Sequence, residues 1–472
     1  MLPANKTKIV CTIGPASEAP AIMEKMILAG MTVARLNFSH GDFSTHMQVI
    51  DNLRAVSRSV GRRIAIMADL PGPKIRIGTI VPEPIELKPG DTLTLTTLEL
   101  AGNPSRVTVS FPSLPQKVKA GDTIYLNDGV IQLEVMRSDG PDVLSRVVAG
   151  GELSSRKGLN LPGIDLGISA FTERDRVCLR FALENGVDAI SQSFVESAAD
   201  IAAVRKAAAE LGYDPLIIAK IERAGALRHL DEILGAADGL MIARGDLGVE
   251  IPIEQIAMVQ KKLMRSANLA GKPVITATQM LESMTANRRP TRAEATDVAN
   301  AILDGTDCVM LSAESAVGRY PVESVSMLAG IASAVEPQRP GHHVRETLRG
   351  VMHEANFGIE DLIAVSVETV MERLSSAAVI VPSTSGATAQ RMTRFRLPVW
   401  IVAVCTDRTV CQKLLFSYGI HPEYEEQEPE DWNSYTRGLL RAHGIEGELA
   451  ILTRGPSARR PEANFGMEVI RL

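Results

Sequence analysis

The sequence predicts an α/β chain: a TIM-type (β/α)8 barrel carrying an inserted small β-barrel lid domain, followed by a C-terminal three-layer α/β domain. Three observations predict it. Eight short apolar runs alternate with segments of helical period, glycines stand at the α-to-β joints, and one stretch rich in Thr, Val, Pro and Gly interrupts the alternation.

The eight runs are KIVCTIG, TVARLNFS, RIAIMADL, DAISQSF, PLIIAKIE, GLMIARGD, PVITATQ and DCVMLSAE. Strands of a parallel barrel are covered on both faces and read as continuous apolar runs, and eight of them close the barrel. The joints fall at Gly30, Gly186, Gly271 and Gly305, where a helix-period segment stops and an apolar run follows within a few residues. Glycine there accepts the left-handed conformation that ends a helix. Thr291-x-x-Glu294 reads as a capping box, with Val298, Ala299, Ile302 and Leu303 as the apolar stripe behind it.

Between about Pro71 and Leu166 two related segments, LKPGDTLTL and VKAGDTIYL, read as strand-turn-strand units of an all-β insert. It falls between the third and fourth barrel strands and overhangs the end where barrel chemistry gathers, so a lid is expected. After Pro337 the alternation resumes, with AAVIVPSTSG and LPVWIVAVCTD as strands and ATAQRMTRF as the start of a helix. The expected division is a barrel over 1–70 and 167–336, an insert over 71–166 and a C-terminal domain over 337–472. The acidic HPEYEEQEPEDW reads as a solvated loop.

A chain of 472 residues, 45% of them hydrophobic, is long enough for several domains with sizeable cores. A net charge of −6 with 4% aromatic residues argues against a nucleic-acid surface but leaves small anionic substrates open. The five cysteines are scattered without zinc or disulfide spacing, as in a reducing compartment. Neither a leader-type apolar segment nor a run of about 20 apolar residues occurs. A cytoplasmic protein without membrane or nucleic-acid partners is expected.

In a parallel barrel, side chains of one parity at the strand ends converge. Polar residues at spacing two occur at four such ends: Arg35, Asn37 and Ser39; Lys220 and Glu222; Thr276 and Thr278; Ser312 and Glu314. Taken singly each has a duller reading. Lys220 and Glu222 suit a structural ion pair, Glu222 and Asp246 suit caps, and Arg35 and Arg76 suit surface arginines. Taken jointly, two carboxylates beside two arginines and a lysine suit one hard divalent cation shared with a substrate phosphate. Phosphoryl transfer asks for that: alignment of donor and acceptor, and neutralised charge.

The motifs KIVCTIGPAS, VARLNFSHG, KGLNLPG, IIAKIE, ARGDLGVEIP, TATQMLESM, PTRAEATDVANA and MLSAESAVGRYP occur in that order. With them the chain resembles the pyruvate kinase family nearly end to end. The resemblance implies transfer of the phosphoryl group of phosphoenolpyruvate to ADP, the last step of glycolysis. It assigns Lys220 to the transferring phosphoryl group and the enolate oxygen, Arg35 to the phosphate, and Glu222 and Asp246 to Mg²⁺, with Mn²⁺ as the alternative ion. Gly245 and Thr278 would position the carboxylate and the enolate carbon. Ser312 and Glu314 fall on the proton-relay side. Arg76 and His40, from the barrel, and Lys157, from the end of the insert, would face the nucleotide. A homotetramer is implied.

One departure concerns the monovalent ion. Asn37, Ser39, Asp69 and the carbonyl of Leu70 match the positions that ligate K⁺ in potassium-activated members, whose third strand ends like Asp-Thr-Lys-Gly-Pro-Glu. Here it reads Asp69-Leu70-Pro71-Gly72-Pro73-Lys74. The Lys74 ammonium would supply the ion's charge and repel the ion, so activity without K⁺ is expected. In the C-terminal domain the resemblance makes Ser383, Thr384, Ser385, Gly386 and Thr388 a loop for a sugar-phosphate or AMP effector, where an ordinary helix cap is the plainer reading. Two other functions compete: a Mg²⁺-dependent aldolase or lyase on a pyruvate-type barrel, which needs no nucleotide site, and an inactive metabolite-sensing relative.

Overall fold

The computed structural model describes residues 2–339, 358–456 and 461–472. Eight strands, Lys8–Thr12, Val33–Asn37, Ala65–Leu70, Ala189–Gln192, Leu216–Ile221, Gly239–Ala243, Val274–Ala277 and Cys308–Leu311, form a closed parallel barrel. Each lies within one of the apolar runs. The last strand pairs with the first, Lys8 opposite Cys308, which closes the ring.

Alternation along the strands sorts the side chains into two cores. Val33, Met67, Leu216, Ile218, Met241, Ile275 and Met310 fill the interior, while Ala34, Leu36, Ile66, Ala68, Ile217 and Ile242 pack outward on the helices. Arg35 and Asn37 share the parity of Val33, and Lys220 that of Ile218, so both strands carry inward residues onto the upper rim. The helices are bounded as their sequences require. Asp42 accepts from the Thr45 amide at 2.8 Å to start Phe43–Ser59, and the Thr291–Glu294 capping box starts Arg292–Asp304. That second helix ends at Gly305, whose φ of 103° a side chain would strain.

The insert after Leu70 holds a six-stranded sheet and a separate strand pair around one apolar core, from Ile75 to Leu166. Its two GDT segments are the same turn built twice. Lys88 N donates to Asp91 Oδ2 and Lys119 N to Asp122 Oδ2, each at 2.9 Å, and a strand follows directly in both. The chain enters and leaves through a narrow neck where Arg76 bridges Gly158.

The C-terminal sheet has the order Ile420–Tyr424, Trp400–Cys405, Ala378–Ser383, Leu449–Arg454, Gly466–Arg471, parallel except for its last strand. Val379, Val381, Ile401 and Ala403 face one helical layer; Ala378, Ile380, Val402 and Val404 face the other. The segment read as a solvated acidic loop departs from expectation. His421–Tyr424 belongs to the edge strand, with Pro422 buried, the buried Trp432 opens the next helix, and only the residues between form a loop.

The C-terminal domain also reaches into the barrel. Leu415 and Phe416 pack with Val10, Met67 and Ile275 at the N-terminal end of the strands, and Phe416 is fully buried. Cys308 Sγ donates to Phe416 O at 3.2 Å, Tyr418 N to Asp307 Oδ1 at 2.9 Å, and Arg396 pairs with Asp307 at 2.6 Å.

Candidate functional site

At the C-terminal ends of strands two to five, four charged side chains interlock. Arg35 Nε donates to Asp69 Oδ2 at 2.8 Å, its Nη2 also pairs with Asp69, and its Nη1 reaches Thr12 Oγ1 at 2.8 Å. Lys220 Nζ lies 3.2 Å from Asp69 and 2.9 Å from Glu222 Oε1, and donates to Ser193 Oγ at 2.6 Å. Ser191 Oγ donates to the other Asp69 oxygen at 2.8 Å, and Glu222 Oε2 accepts from Phe194 N at 2.7 Å.

Asp69, Lys220 and Glu222 are all buried, so the cluster survives only because its charges alternate and every oxygen has a donor. Burial pushes the Asp69 carboxyl up, but the Arg35 and Lys220 charges and the Ser191 hydroxyl overcome it and hold it below the ordinary range. For Lys220, burial is overcome by Asp69 and Glu222, so the ammonium stays protonated. Burial and then the charge of Asp246 push Glu222 up against the pull of Lys220. A divalent ion between Glu222 and Asp246 would relieve that repulsion. Two carboxylates do not close the shell of such an ion, which leaves positions for substrate oxygens and water. The donor set fits Mg²⁺.

Asp246 stands in the helix Arg244–Glu250 after the sixth strand, with its carboxylate 3.6 Å from Lys74 Nζ. Gly245 N donates to Thr278 Oγ1 at 2.8 Å, and that hydroxyl donates to Ala277 O at 2.6 Å. Arg244 clamps the two loops together, reaching Asp297 at 2.7 Å and Thr278 O at 2.8 Å.

Several expected residues stand elsewhere than their spacing suggested. Thr276 is buried and bonds Thr306 Oγ1 at 2.9 Å, on the opposite parity from Ile275 and Ala277. Thr278 reaches the rim because its backbone turns left-handed, at φ 71°, which breaks the alternation. Glu314 is fully buried, its oxygens accepting from Leu281 N at 3.0 Å and Ser312 N at 2.7 Å. It braces the loops after strands seven and eight. Arg76 belongs to the neck of the insert and not to the barrel; its guanidinium bonds Arg156 O at 3.0 Å, and Ile77 N donates to Lys157 O at 3.0 Å. His40 is exposed, after the second strand.

At the positions matching a monovalent-ion site, Asn37 Oδ1 accepts from Ser39 N at 3.1 Å, Asp69 is saturated by cations, and Leu70 is fully buried. Lys74 extends toward Asp246. Sequence reasoning missed Ser191, Ser193, Arg244 and Asp297. The alternation SQSF marks both serines with the parity that Lys220 shows on the next strand.

A cavity of about 750 Å³ lies away from this cluster, in the C-terminal domain. Ser383, Thr384, Ser385 and Thr388 line it, as do Trp432, Arg454 and Phe465. Gly386, at φ 86°, starts the helix Ala387–Thr393, and its amide donates to Ser383 Oγ at 2.8 Å. Glu360, Glu426 and Glu428 also line it, so its charge among the described residues is not that of a bare anion site.

The family model "Pyruvate kinase, barrel domain" matches residues 4–325, and "Pyruvate kinase, alpha/beta domain" matches residues 361–465. The pyruvate kinase of Thermococcus litoralis is 48% identical over 459 residues, covering 96% of both chains. That of Geobacillus stearothermophilus is 45% identical over 463 residues, 96% of this chain and 78% of the relative. The crystal structure of a pyruvate kinase from Cryptosporidium parvum superposes with a TM-score of 0.93 at 33% identity, over 99% of this chain and 96% of that one.

Proposed function

The chain belongs to the pyruvate kinase family and transfers the phosphoryl group of phosphoenolpyruvate to ADP, giving pyruvate and ATP, and from that premise we propose the part each residue plays. Lys220 carries the central role. Fixed between Asp69, Glu222 and Ser193, its ammonium meets the transferring phosphoryl group and the oxygen that becomes the enolate, where negative charge changes most during transfer. Arg35 binds the phosphate, with its guanidinium already oriented by Asp69 and Thr12.

Glu222 and Asp246 would hold Mg²⁺, or Mn²⁺ in its place, and the bound ion would supply positive charge against the negative charge of the reacting groups. Gly245 and Thr278, tied by their 2.8 Å bond, position the substrate carboxylate and the enolate carbon. Ser312 and Glu314 act by holding that loop wall in place. Arg76 and Lys157 at the neck, with His40 on the rim, receive the nucleotide. The insert over 71–166 serves as a lid, since its neck carries both the nucleotide cations and Lys74.

We further assign potassium-independent activity, an effector site for a sugar phosphate or AMP at Ser383–Thr388, a cytoplasmic location and a homotetramer. The observation that carries the reading is the buried Arg35–Asp69–Lys220–Glu222 cluster at the barrel rim. It is tested with phosphoenolpyruvate, ADP and Mg²⁺ on the wild type and Lys220→Met. Loss of a charge used in the transition state lowers kcat by at least about 100-fold with little change in phosphoenolpyruvate KM. A Lys220→Met enzyme of near-normal kcat, or turnover indifferent to ADP, overturns it.

A further inference from the structure

We propose that the C-terminal domain carries a second metal site, for a divalent transition ion of the Zn²⁺ type, formed by His421, Glu423 and His443. The barrel chemistry does not use these residues. His421 and Glu423 stand two apart on the edge strand Ile420–Tyr424, so both side chains leave the same face. His443 is the C-terminal cap of the helix Trp432–Ala442. One nitrogen from each ring and a carboxylate oxygen all lie within 4.8 Å of one another.

The spacing is that of a coordination shell. His421 Nε2 and His443 Nε2 each lie 3.2 Å from the same Glu423 oxygen, Oε2. In a tetrahedron with bonds of about 2.0 Å, ligand atoms stand about 3.3 Å apart. Two imidazoles and a carboxylate are also the ligand set of open zinc sites, which leave one position for water or a further ligand. The three side chains are 19% to 30% exposed, so such a position faces solvent.

The scaffold holds the ligands in place without an ion. Tyr435 Oη donates to Glu425 Oε1 at 2.8 Å, tying the helix that carries His443 to the end of the strand that carries the other two. Trp400 packs edge-on to His421 with ring centroids 6.4 Å apart. The nearby cation, Lys8, is turned to the Trp400 ring and to Ile420 O, at 5.1 and 2.6 Å.

The plain alternative is two imidazoles sharing one carboxylate by hydrogen bonds, and metal uptake decides between them. The full chain, stripped with chelator and kept in excess Mg²⁺ to saturate Glu222 and Asp246, is titrated with Co²⁺. One equivalent per chain is expected, with the strong visible bands of four-coordinate Co²⁺, displaced by Zn²⁺. His443→Gln should weaken uptake by more than about 100-fold and leave pyruvate kinase turnover in Mg²⁺ unchanged. His443→Cys should keep the site and add a thiolate-to-metal band, which separates ligand loss from misfolding. No saturable uptake by the wild type, only weak six-coordinate bands, uptake unaffected by His443→Gln, or His443→Cys without the new band each overturns the proposal.

Discussion

The ammonium of Lys74 lies 3.6 Å from the carboxylate of Asp246, linking the neck of the β insert to the helix after the sixth barrel strand. Both side chains are about 30% exposed, so the pair is weak and adjustable. It sets a fixed positive charge beside the acidic pair that would hold the divalent ion.

That charge leads to the first prediction. Wild-type activity measured without K⁺ or Na⁺ rises less than tenfold on adding K⁺, a difference below about 1.4 kcal/mol. Lys74→Glu loses activity in the same buffer and regains it with K⁺. A wild type that needs K⁺ contradicts the assignment of Lys74.

Asp69 neutralises two cations in a buried place. Asp69→Asn leaves Arg35 and Lys220 facing each other with less compensation, at a cost of about 3 kcal/mol or more. Denaturant unfolding should show a midpoint shifted down, and turnover should fall with it. Unchanged stability would mean that the cluster relaxes into solvent.

Chelation of the divalent ion abolishes turnover, and Mg²⁺ or Mn²⁺ restores it. Glu222→Asp, which shortens one of two carboxylate ligands, raises the half-saturating Mg²⁺ concentration by about tenfold or more. Titration of activity against free Mg²⁺ checks this, and an unshifted curve removes Glu222 from the ion.

Lys8 gives a pH signature. Burial brings its pKa down from 10.5 to about 8, so between those values the unfolded chain binds more protons than the folded one. Stability therefore rises with pH across that window and is flat with respect to this group below pH 8. The rise is on the order of 3 kcal/mol. Unfolding of the metal-free wild type and Lys8→Met at pH 7.5 and 10 measures it: the wild type gains more than the variant by about that amount.

The C-terminal cavity is tested by kinetics. Sugar phosphates and AMP, screened against phosphoenolpyruvate saturation, should include one that shifts the half-saturating concentration, and substitution of Thr384 or Ser385 by Ala should blunt the shift. A flat screen leaves the loop at Gly386 as a helix cap.

The barrel was legible because its strands are short, apolar and glycine-punctuated, and because local rules such as the Thr291–Glu294 box act within four residues. Lys220, Glu222 and Arg35 were legible for a related reason: each is a charge at the end of a run that is otherwise buried. Thr276 was misread because parity holds only while the backbone stays extended, and the positive φ at Thr278 and Gln279 is not written in residue types that favour it. Glu314 stands two residues from Ser312, and in the structure its oxygens accept from backbone amides, one of them on a different loop, a role that the spacing alone does not reveal. The edge strand at His421 was hidden by the acidity of the residues after Tyr424, which outweighed the two-residue alternation before them. Contacts such as Arg244 with Asp297, 53 residues apart, leave no local trace.

The placement of Phe416 bears on how this molecule can be divided. A side chain from beyond residue 400 furnishes the floor of a ring whose first strand begins at Lys8. Sequence boundaries therefore do not mark separable parts: a fragment ending before the C-terminal sheet would carry an open-bottomed ring with apolar lining turned to water. Swapping either portion with that of a relative demands that plug and socket travel together.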